Sequence, residues 1–233
     1  MSAEPSLDLE RRLLTNTPLV FALDEVGRGA LAGPVAVGAS VIDAATASGS
    51  VPAGLRDSKL ISEKKRPDVS ERAGAWALGT AVGWASAGEV DEFGIVRGLG
   101  LAALRALAGV AEQGFDPVVG IVLLDGNHEY VNPALAAYRG LAGGAAPAWA
   151  SARLDVRPVV KGDRSCASIS AASVVSKVAR DAHMVELHER HPHYEWNRNK
   201  GYASASHRAA IAAHGLCEHH RRSWAIAPPQ PLF

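Results

Sequence analysis

The sequence has 233 residues, 48% hydrophobic and 21% charged, which is the composition of an ordinary globular protein. Lysine plus arginine and aspartate plus glutamate number 24 each, and this net charge of zero excludes a uniformly basic, coat-like nucleic-acid binder. The two cysteines are too few for a disulfide framework and favour a reducing compartment. Because no apolar run reaches about 18 residues, the sequence predicts a soluble, cytoplasmic protein without a membrane span.

Apolar patterning and turn residues predict an α/β domain with a mixed sheet. In chain order we expect strands at 19–23 and 34–42, a helix near 62–75, a strand at 76–86, a helix at 89–114, strands at 117–124 and 153–160, and helices at 167–190 and 204–214. A helix is also compatible with the segment 76–86. The Ala/Gly-rich segment 140–152 is expected to be a loop or a frayed helix.

Charge is unevenly distributed along these elements. Residues 1–156 contain 13 basic and 18 acidic residues, a net charge of −5, whereas residues 157–222 contain 11 basic and 6 acidic residues, a net charge of +5. This asymmetry is typical of a protein that binds a polyanion on one face, although chance differences between solvated helix faces explain it as well.

Acidic residues stand at the ends of three predicted strands. Asp24 and Glu25 follow the first strand, while Asp125 and Asp163 follow two later ones. Ligands of open α/β sheets collect outside the carboxyl ends of the strands, so these carboxylates are expected to converge if the strands are neighbours. Converging carboxylates require a cation, and an all-oxygen site suits Mg²⁺ or Mn²⁺. A helix cap or a turn is the alternative role of each acid taken alone.

The residues after the first acidic pair leave the backbone nearly bare. Gly27 and Gly29 allow a ligand to approach the main chain directly, and Arg28 between them suits a phosphate. A tight turn with a solvent-facing arginine is the alternative. The position beside Asp24 and Glu25 favours a binding loop.

Six blocks resemble, in order, the ribonuclease HII family, the bacterial type 2 ribonucleases H. They are DEVGRGALAGPV (24–35), DSKLIS (57–62), LLDGN (123–127), VVKGD (159–163), ISAASVVSKVARD (169–181) and NKGYASASH (199–207). The similarity runs from about residue 19 to residue 224. It implies a ribonuclease H-like fold, in which helices flank a mixed central β-sheet and a small helical part follows at the C-terminal end. We therefore expect one domain over 1–233, with a short arm at 1–18, a basic helical part at about 165–224 and a tail at 225–233.

The resemblance implies an endonuclease that hydrolyses RNA in RNA–DNA hybrids and incises duplex DNA on the 5′ side of a single ribonucleotide, leaving 5′-phosphate and 3′-hydroxyl ends. It implies two Mn²⁺ or Mg²⁺ ions held by Asp24, Glu25, Asp125 and Asp163. It further implies that the backbone of Gly27-Arg28-Gly29 reads the 2′-hydroxyl group, and that Tyr202 of the NKGY block recognises the ribonucleotide and stacks on the neighbouring deoxyribose.

Further residues of these blocks are expected to contact phosphates. They are Lys59, Lys161, Arg164 and Lys177, each equally compatible with a solvated surface charge, and Ser168, Ser170 and Ser173, each equally compatible with helix capping or packing.

Three alternatives remain at this point. A non-catalytic hybrid-binding module is expected to lack at least one of the four acids, and none is missing. A magnesium-dependent phosphatase or phosphotransferase explains strand-end acids but not the NKGY block. The sister enzyme ribonuclease HIII is expected to carry an additional N-terminal domain, whereas about 18 residues precede the first strand here.

The sequence does not favour a zinc site. HMVELHERHPHYEW (183–196) lacks the HExxH spacing, and Cys217, near His219 and His220, is one of only two cysteines. We interpret these histidines as polar surface and loop residues. We expect a monomer, and the terminal PPQPLF resembles the sliding-clamp-binding peptide of some family members, with a disordered terminus as the alternative.

Overall fold

The computed structural model describes residues 4–141 and 148–224. Its strands are β1 (Val20–Val26), β2 (Val35–Ile42), β3 (Gly79–Ala85), β4 (Ile121–Asp125) and β5 (Asp155–Val159). Its helices are α1 (Asp8–Leu13), α2 (Ala44–Ser48), α3 (Arg66–Trp76), α4 (Ala87–Phe93), α5 (Ile95–Ala111), α6 (Val131–Leu141), α7 (Gly162–Ser165), α8 (Ala167–Arg190), α9 (Trp196–Asn199) and α10 (Ala205–His214). Short 3-10 turns occur at Ser58–Leu60, Glu63–Lys65, Pro117–Val119, Ala148–Ser151 and Pro192–Tyr194. None of the described helices combines the length and the apolar character that crossing a bilayer requires.

The predicted α/β class and mixed sheet are confirmed. The five strands lie in the order β3-β2-β1-β4-β5, with β1 antiparallel to β2, β2 antiparallel to β3, and parallel pairing of β1 with β4 and of β4 with β5. The segment at 76–86, for which a helix was also compatible, contains strand β3.

One predicted helix is wrong in its extent, and some elements lacked a sequence signal. The expected helix at 89–114 is two helices, α4 and α5, because Gly94 adopts a φ of 80° that ends the first. Helices α1, α2, α6, α7 and α9 were not expected individually from the sequence, although α9 falls within the helical part expected at about 165–224. Within the segment 140–152, residues 142–147 lie outside the described residues, while its flanks contain the end of α6 and the 3-10 turn at Ala148–Ser151. The whole tail 225–233 also lies outside the described residues.

The alternation of β1 distributes its side chains over two layers. Phe21 and Leu23 face the layer formed by α5 and α6, while Val20 and Ala22 face the start of α8. Both faces of this central strand are buried, which explains why its sequence is a continuous apolar run. The sheet is therefore enclosed, and only strand ends and loops remain to form a site.

Helix α8 lies unusually close to β2. A side chain at Gly38 would place its Cβ 2.3 Å from the carbonyl oxygen of Ala172, so only glycine permits this approach. Gly38 is the register partner of Asp24 on β1. The close contact therefore brings the first turns of α8 beside the end of β1.

Helix α1 is fastened to the start of α8 by a buried carboxylate. Glu10 is fully buried, and its Oε1 accepts hydrogen bonds from the Ser168 amide at 3.0 Å and from the Ser168 hydroxyl at 2.7 Å. Burial raises the pKa of Glu10, although the hydrogen bonds from Ser168 oppose the rise. The supposed arm at 1–18 is thus partly a docked helix.

The buried carboxylate of Glu10 predicts that its Gln and Ala variants change the stability of the protein in opposite directions. A carboxyl whose pKa is higher in the folded state stabilises the fold below its unfolded pKa and loses that contribution as pH rises through the folded value. Glu10→Gln keeps an accepting oxygen and carries no charge, so its stability relative to the wild type should rise between pH 4 and pH 7. Glu10→Ala leaves both Ser168 donors unpaired and should cost about 2–3 kcal/mol. Urea unfolding at both pH values measures these differences, and parallel pH profiles for the wild type and Glu10→Gln would contradict the expectation.

Candidate metal centre

The parallel pairing of β1 with β4 brings the first carboxylates together. Leu23 pairs with Leu124, so the next residues on the two strands, Asp24 and Asp125, lie side by side at the same edge of the sheet, where the pairing of β1 with β4 stops. Asp163 follows β5 on the far side of β4, and its backbone amide donates a hydrogen bond to Asp125 Oδ1 at 3.2 Å. The sequence placed Asp24 and Glu25 after the strand, whereas both lie within β1.

The two adjacent acids of β1 face opposite layers of the fold. Asp24 is 5% exposed and lies against Ser173 of α8. Glu25 faces the other layer, where its Oε2 accepts a hydrogen bond from the Tyr130 hydroxyl at 3.4 Å and its Oε1 lies 3.3 Å from Arg28 Nη1. Burial, followed by the charge of Glu25, raises the pKa of Tyr130 well above its ordinary value, so this hydroxyl stays a donor.

Burial and mutual repulsion raise the pKa values of three acids in the cluster. Burial and the charge of Asp125 raise the pKa of Asp24 well above its ordinary value. Burial likewise raises the pKa of Asp125, and burial together with the Asp125 charge raises that of Asp163. The folded chain therefore holds more negative charge at this edge than it neutralises.

Lys59 is the cation that partly compensates this charge. Its Nζ lies 3.6 Å from Asp163 Oδ2. Burial would lower the pKa of Lys59, but the surrounding carboxylates, with Asp24 and Asp57 foremost, outweigh burial and raise it. Even with the Arg28 guanidinium 3.3 Å from Glu25, the Lys59 ammonium group does not balance four carboxylates, so the donor set suits additional positive charge from hard divalent ions.

The four carboxylates do not close on a single point. Within the described residues, no three of them place oxygens within 4.8 Å of one another. Direct contact of one ion with three of these acids therefore requires their side chains to move closer together, whereas Mg²⁺, which retains water ligands, can be held by fewer carboxylates.

Two adjoining clefts contain the residues singled out from the sequence. Besides Val26 and Ser58, the first cleft, of about 420 Å³, is lined by Asp24, Glu25, Gly27, Arg28, Gly29, Lys59, Ser173, Lys177 and Tyr202. The second, of about 400 Å³, is lined by Asp125, Gly126, Asn127, Val160, Lys161, Asp163 and Arg164. The contact between Lys59 and Asp163 links the two clefts.

The expected phosphate ligands differ in how free they are. Lys161 is exposed, with a left-handed φ of 57° just before α7. Lys177 is paired with Asp181, which also lies 3.5 Å from Arg66 Nη1. Lys177 thus lines the cleft but already has a carboxylate partner.

Two of the serines do not have the phosphate-binding role considered for them. The Ser168 hydroxyl donates to Glu10, and the Ser170 hydroxyl donates to the Asp163 carbonyl at 2.8 Å. Both side chains are buried, whereas Ser173 faces the first cleft. Ser170 therefore supports the backbone of a site residue and does not contact a ligand.

Two fully buried arginines hold the glycine-rich loop. Arg221 Nη2 donates to the Gly27 carbonyl at 2.6 Å and to the Gly33 carbonyl at 3.2 Å, and its Nη1 donates to the Arg28 carbonyl at 2.8 Å. Arg180 donates to the Pro34 carbonyl at 2.9 Å. Gly27 has a φ of 82°, and a Cβ there would lie 2.1 Å from Arg180 Nε.

The sequence did not identify these two arginines as part of the site. Among the ion pairs of the described residues, neither guanidinium has a carboxylate partner, so backbone carbonyls satisfy both charges. Arg180 lies inside the ISAASVVSKVARD block, which was a usable signal, whereas Arg221 lies outside every block. Because both pull carbonyls inward, the loop conformation depends on them.

Tyr202 borders the same cleft from a separate segment. Its ring is 37% exposed and lies 5.4 Å from the Arg180 guanidinium carbon. Its carbonyl is 2.9 Å from His207 Nδ1, and the Trp196 indole donates to His207 Nε2 at 3.0 Å. Since the indole can only donate, His207 carries its proton on Nδ1 and donates to Tyr202.

Comparison with known proteins identifies relatives along most of the chain. A family model described as ribonuclease HII matches residues 22–73 and 150–227. Ribonuclease HII of Streptomyces avermitilis is 38% identical over 231 residues, covering 98% of this chain and 87% of that protein. Ribonuclease HII of Roseobacter denitrificans is 41% identical over 205 residues, covering 88% of this chain and 89% of that protein.

Solved structures show a similar fold at lower identity. The PCNA:RNase HII complex of Archaeoglobus fulgidus contains a chain that matches with a TM-score of 0.65 and 21% identity, over 88% of this chain and 95% of that one. Bst-RNase HIII in complex with Mn²⁺ matches with a TM-score of 0.63 and 18% identity, over 94% of this chain and 70% of that one. At these identities the likeness establishes the fold.

The raised pKa of Asp24 predicts that this residue destabilises the protein in the absence of metal. Asp24→Asn removes a buried charge and keeps an oxygen facing Ser173, so it should raise the free energy of unfolding at pH 7 by at least about 1 kcal/mol. Adding Mn²⁺ should raise the melting temperature of the wild type and have little effect on this variant, because ion binding stabilises the folded state. Calorimetry with and without Mn²⁺ tests both statements. Asp155→Asn, at an exposed acid on β5, is the control, and a metal-free Asp24→Asn less stable than the wild type would contradict the expectation.

The buried arginine predicts a second, independent effect. Arg221→Gln removes the donors that reach Gly27, Arg28 and Gly33, and should lower the free energy of unfolding by about 3 kcal/mol. The neighbouring Arg222 is exposed and uses only its backbone amide to bind Asp91, so Arg222→Gln should change stability by less than about 0.5 kcal/mol. Urea unfolding compares the two variants, and equal losses of unfolding free energy would refute the role of Arg221 in holding the glycine-rich loop.

Proposed function

The chain belongs to the ribonuclease HII family and is an endonuclease that cleaves RNA in RNA–DNA hybrids, and we propose that it also incises duplex DNA on the 5′ side of a single embedded ribonucleotide. The products are a 5′-phosphate and a 3′-hydroxyl. The observation that supports this activity is the composition of the first cleft, where Asp24 and Glu25 lie beside the Gly27–Gly29 loop and Tyr202. Two of the acids proposed to hold the metal ions and the residues proposed to recognise one nucleotide thus line the same cavity.

Divalent cations are the cofactors of this proposal. Enzymes of the ribonuclease H family use divalent metals, and we propose that Asp24, Glu25, Asp125 and Asp163 hold two Mn²⁺ or Mg²⁺ ions. When bound, such ions activate water and stabilise the leaving 3′-oxygen of a phosphodiester. The chain contributes the four carboxylates and fixes Asp125 through the Asp163 amide.

Recognition of the ribonucleotide falls to the loop and the tyrosine. The 2′-hydroxyl distinguishes RNA from DNA at a given nucleotide, and it both donates and accepts hydrogen bonds. Gly27 and Gly29 expose the main chain to it, since Arg180 and Arg221 hold the loop from behind. The partly exposed side chain of Tyr202 is proposed to stack on the neighbouring deoxyribose.

Basic side chains along both clefts are proposed to contact the phosphates. Lys161 and Arg164 border the second cleft, and Lys59 borders the first. The Lys59 side chain is exposed and its ammonium group lies 3.6 Å from Asp163, so we propose that it contacts a substrate phosphate beside the acids. Lys177 is proposed to contribute positive charge from within its pair with Asp181.

The assembly around this enzyme is part of the proposal. We propose a single domain over 1–233, acting as a cytoplasmic monomer on RNA–DNA hybrids and ribonucleotide-containing DNA. The PPQPLF tail is proposed to bind a sliding clamp, and the Archaeoglobus fulgidus PCNA:RNase HII complex gives this idea a structural precedent in a relative of similar fold.

The alternatives are less well supported. All four acids are present and converge on the two clefts, which disfavours a non-catalytic binding module. The likeness to Bst-RNase HIII is one of fold at 18% identity, whereas the relatives of 38–41% identity are ribonucleases HII.

A labelled DNA duplex containing one ribonucleotide provides the test, with Mn²⁺ or Mg²⁺ in the reaction and a long RNA–DNA hybrid assayed in parallel. The wild type should nick 5′ to the ribonucleotide, and Asp125→Asn should lose at least about 100-fold in rate on both substrates because it removes a metal ligand. Tyr202→Ala should reduce incision at the single ribonucleotide by at least about 10-fold more than cleavage of the long hybrid, because the loss of one stacked group is worth about 1–3 kcal/mol.

Each outcome separates one element of the proposal. Cleavage of the long hybrid alone would refute the reading of a single ribonucleotide by Gly27–Gly29 and Tyr202. Tight binding without cleavage under either metal would favour the binding module. Unimpaired cleavage by Asp125→Asn would remove this residue from the metal centre.

A further inference from the structure

A second cluster of metal-ligating side chains lies in the histidine-rich C-terminal part. His191 ends α8, and Cys217 and Glu218 belong to the loop that follows α10. One donor atom from each of these three side chains lies within 4.8 Å of the other two. None of the three lines either of the clefts described above.

A fourth donor borders this group. His219 Nε2 lies 3.5 Å from the same Glu218 oxygen that is 3.7 Å from His191 Nε2. The rings of His191 and His219 are 5.3 Å apart at their centroids. Although His219 Nε2 is buried, it has no hydrogen-bond partner among the described residues, and a buried nitrogen of this kind normally has one.

The chemistry of these donors differs from that of the catalytic edge. A thiol, two imidazoles and one carboxylate form a mixed sulfur, nitrogen and oxygen set, which selects Zn²⁺ over Mg²⁺ or Mn²⁺. The four strand-end acids offer oxygen only. The two groups of side chains would therefore bind different ions even when all are present.

The surrounding hydrogen bonds hold the loop in place. The Cys217 amide donates to His220 Nδ1 at 3.1 Å, and His220 Nε2 lies 3.2 Å from His207 Nε2. The Tyr194 hydroxyl donates to the Gly215 carbonyl at 2.8 Å. The loop thus presents Cys217 in a fixed position, with its Sγ 3.3 Å from His220 Nδ1, while the exposed Glu218 side chain reaches His191 and His219.

We propose that His191, Cys217, Glu218 and His219 bind a Zn²⁺ ion that fastens the loop before Arg221 to the end of α8. Tetrahedral zinc with bonds of 2.0–2.3 Å keeps its ligands roughly 3.5 Å apart, so the donors of His191, Cys217 and Glu218, now within 4.8 Å of one another, move closer by about 1 Å on binding. His219, which lies outside that group, joins through its contact with Glu218. The site is structural, since the protein provides all four ligands.

This proposal departs from the interpretation of the sequence, which did not favour zinc. Three of the ligands are consecutive residues, and the fourth precedes them by 26 positions, so the spacing matches none of the zinc motifs. Only the packing of the 217–219 loop against the end of α8 brings them together.

Cobalt substitution of the full-length chain tests the site without relying on nuclease activity. Co²⁺ bound through Cys217 should give a sulfur-to-cobalt charge-transfer band and strong tetrahedral visible bands, and added Zn²⁺ should abolish both. Co²⁺ held by the strand-end carboxylates gives no sulfur band. The experiment uses a non-thiol reductant, which keeps the cysteines reduced without competing for metal.

The variants identify the ligands. Cys217→Ser should eliminate the sulfur band, whereas Cys166→Ala, at the buried second cysteine, should retain it. His191→Asn and Glu218→Gln should each weaken Zn²⁺ affinity at least about 10-fold, measured by competition with a chromophoric chelator. Circular dichroism of each variant confirms that it is folded, and the exposed position of Glu218 makes Glu218→Gln the safest of them.

Specific results would overturn the proposal. Absence of a sulfur band in the folded wild type would exclude Cys217 as a ligand. A band that persists in Cys217→Ser but disappears in Cys166→Ala would place the metal elsewhere, and unchanged Zn²⁺ affinity in both His191→Asn and Glu218→Gln would refute the ligand set.

Discussion

Electrostatic repulsion among carboxylates at one edge of the sheet is the constraint around which this protein is arranged. The parallel register of β1 and β4 forces Asp24 and Asp125 into adjacent positions, and Asp163 lies in α7, just after the next strand, β5. A fold that only had to be stable would not concentrate buried like charges in this way. The site is therefore maintained against the stability of the metal-free protein, by the apolar packing on both faces of β1.

Behind the glycine-rich loop, positively charged side chains are buried instead of negatively charged ones. Arg180 and Arg221 are buried without carboxylate partners in the described structure, and their guanidinium groups donate hydrogen bonds to main-chain carbonyls. Acids that face the cleft and cations that face the backbone thus remain separate. If a carboxylate neutralised Arg221, the guanidinium would no longer be directed at Gly27, and the loop would lose the contacts that define its shape.

The sequence predicted the parts of this arrangement that depend on local pattern. Apolar runs that end in acidic residues predicted β1, β4 and the position of Asp163, because the end of a strand and the alternation of its side chains can be recognised from neighbouring residues. It did not predict that Asp24 and Glu25 face different layers, although the period of two in a strand implies it. Arg221 was not identified, and Cys217 with its neighbouring histidines was considered for zinc but disfavoured, because their partners are set by packing between segments far apart in the chain. The division of the 89–114 helix depended on a single positive φ at Gly94.

The long sequence separation between Arg221 and the loop it holds has a consequence for biosynthesis. Arg221 lies 194 residues after Gly27. At about 5–20 residues per second, a ribosome needs roughly 10–40 s to pass from one to the other. During that interval the nascent chain already contains Asp24 and Glu25 but not the guanidinium that shapes the neighbouring loop. The Gly27–Gly33 loop therefore gains the contacts of Arg221 only after nearly the whole chain has been synthesised.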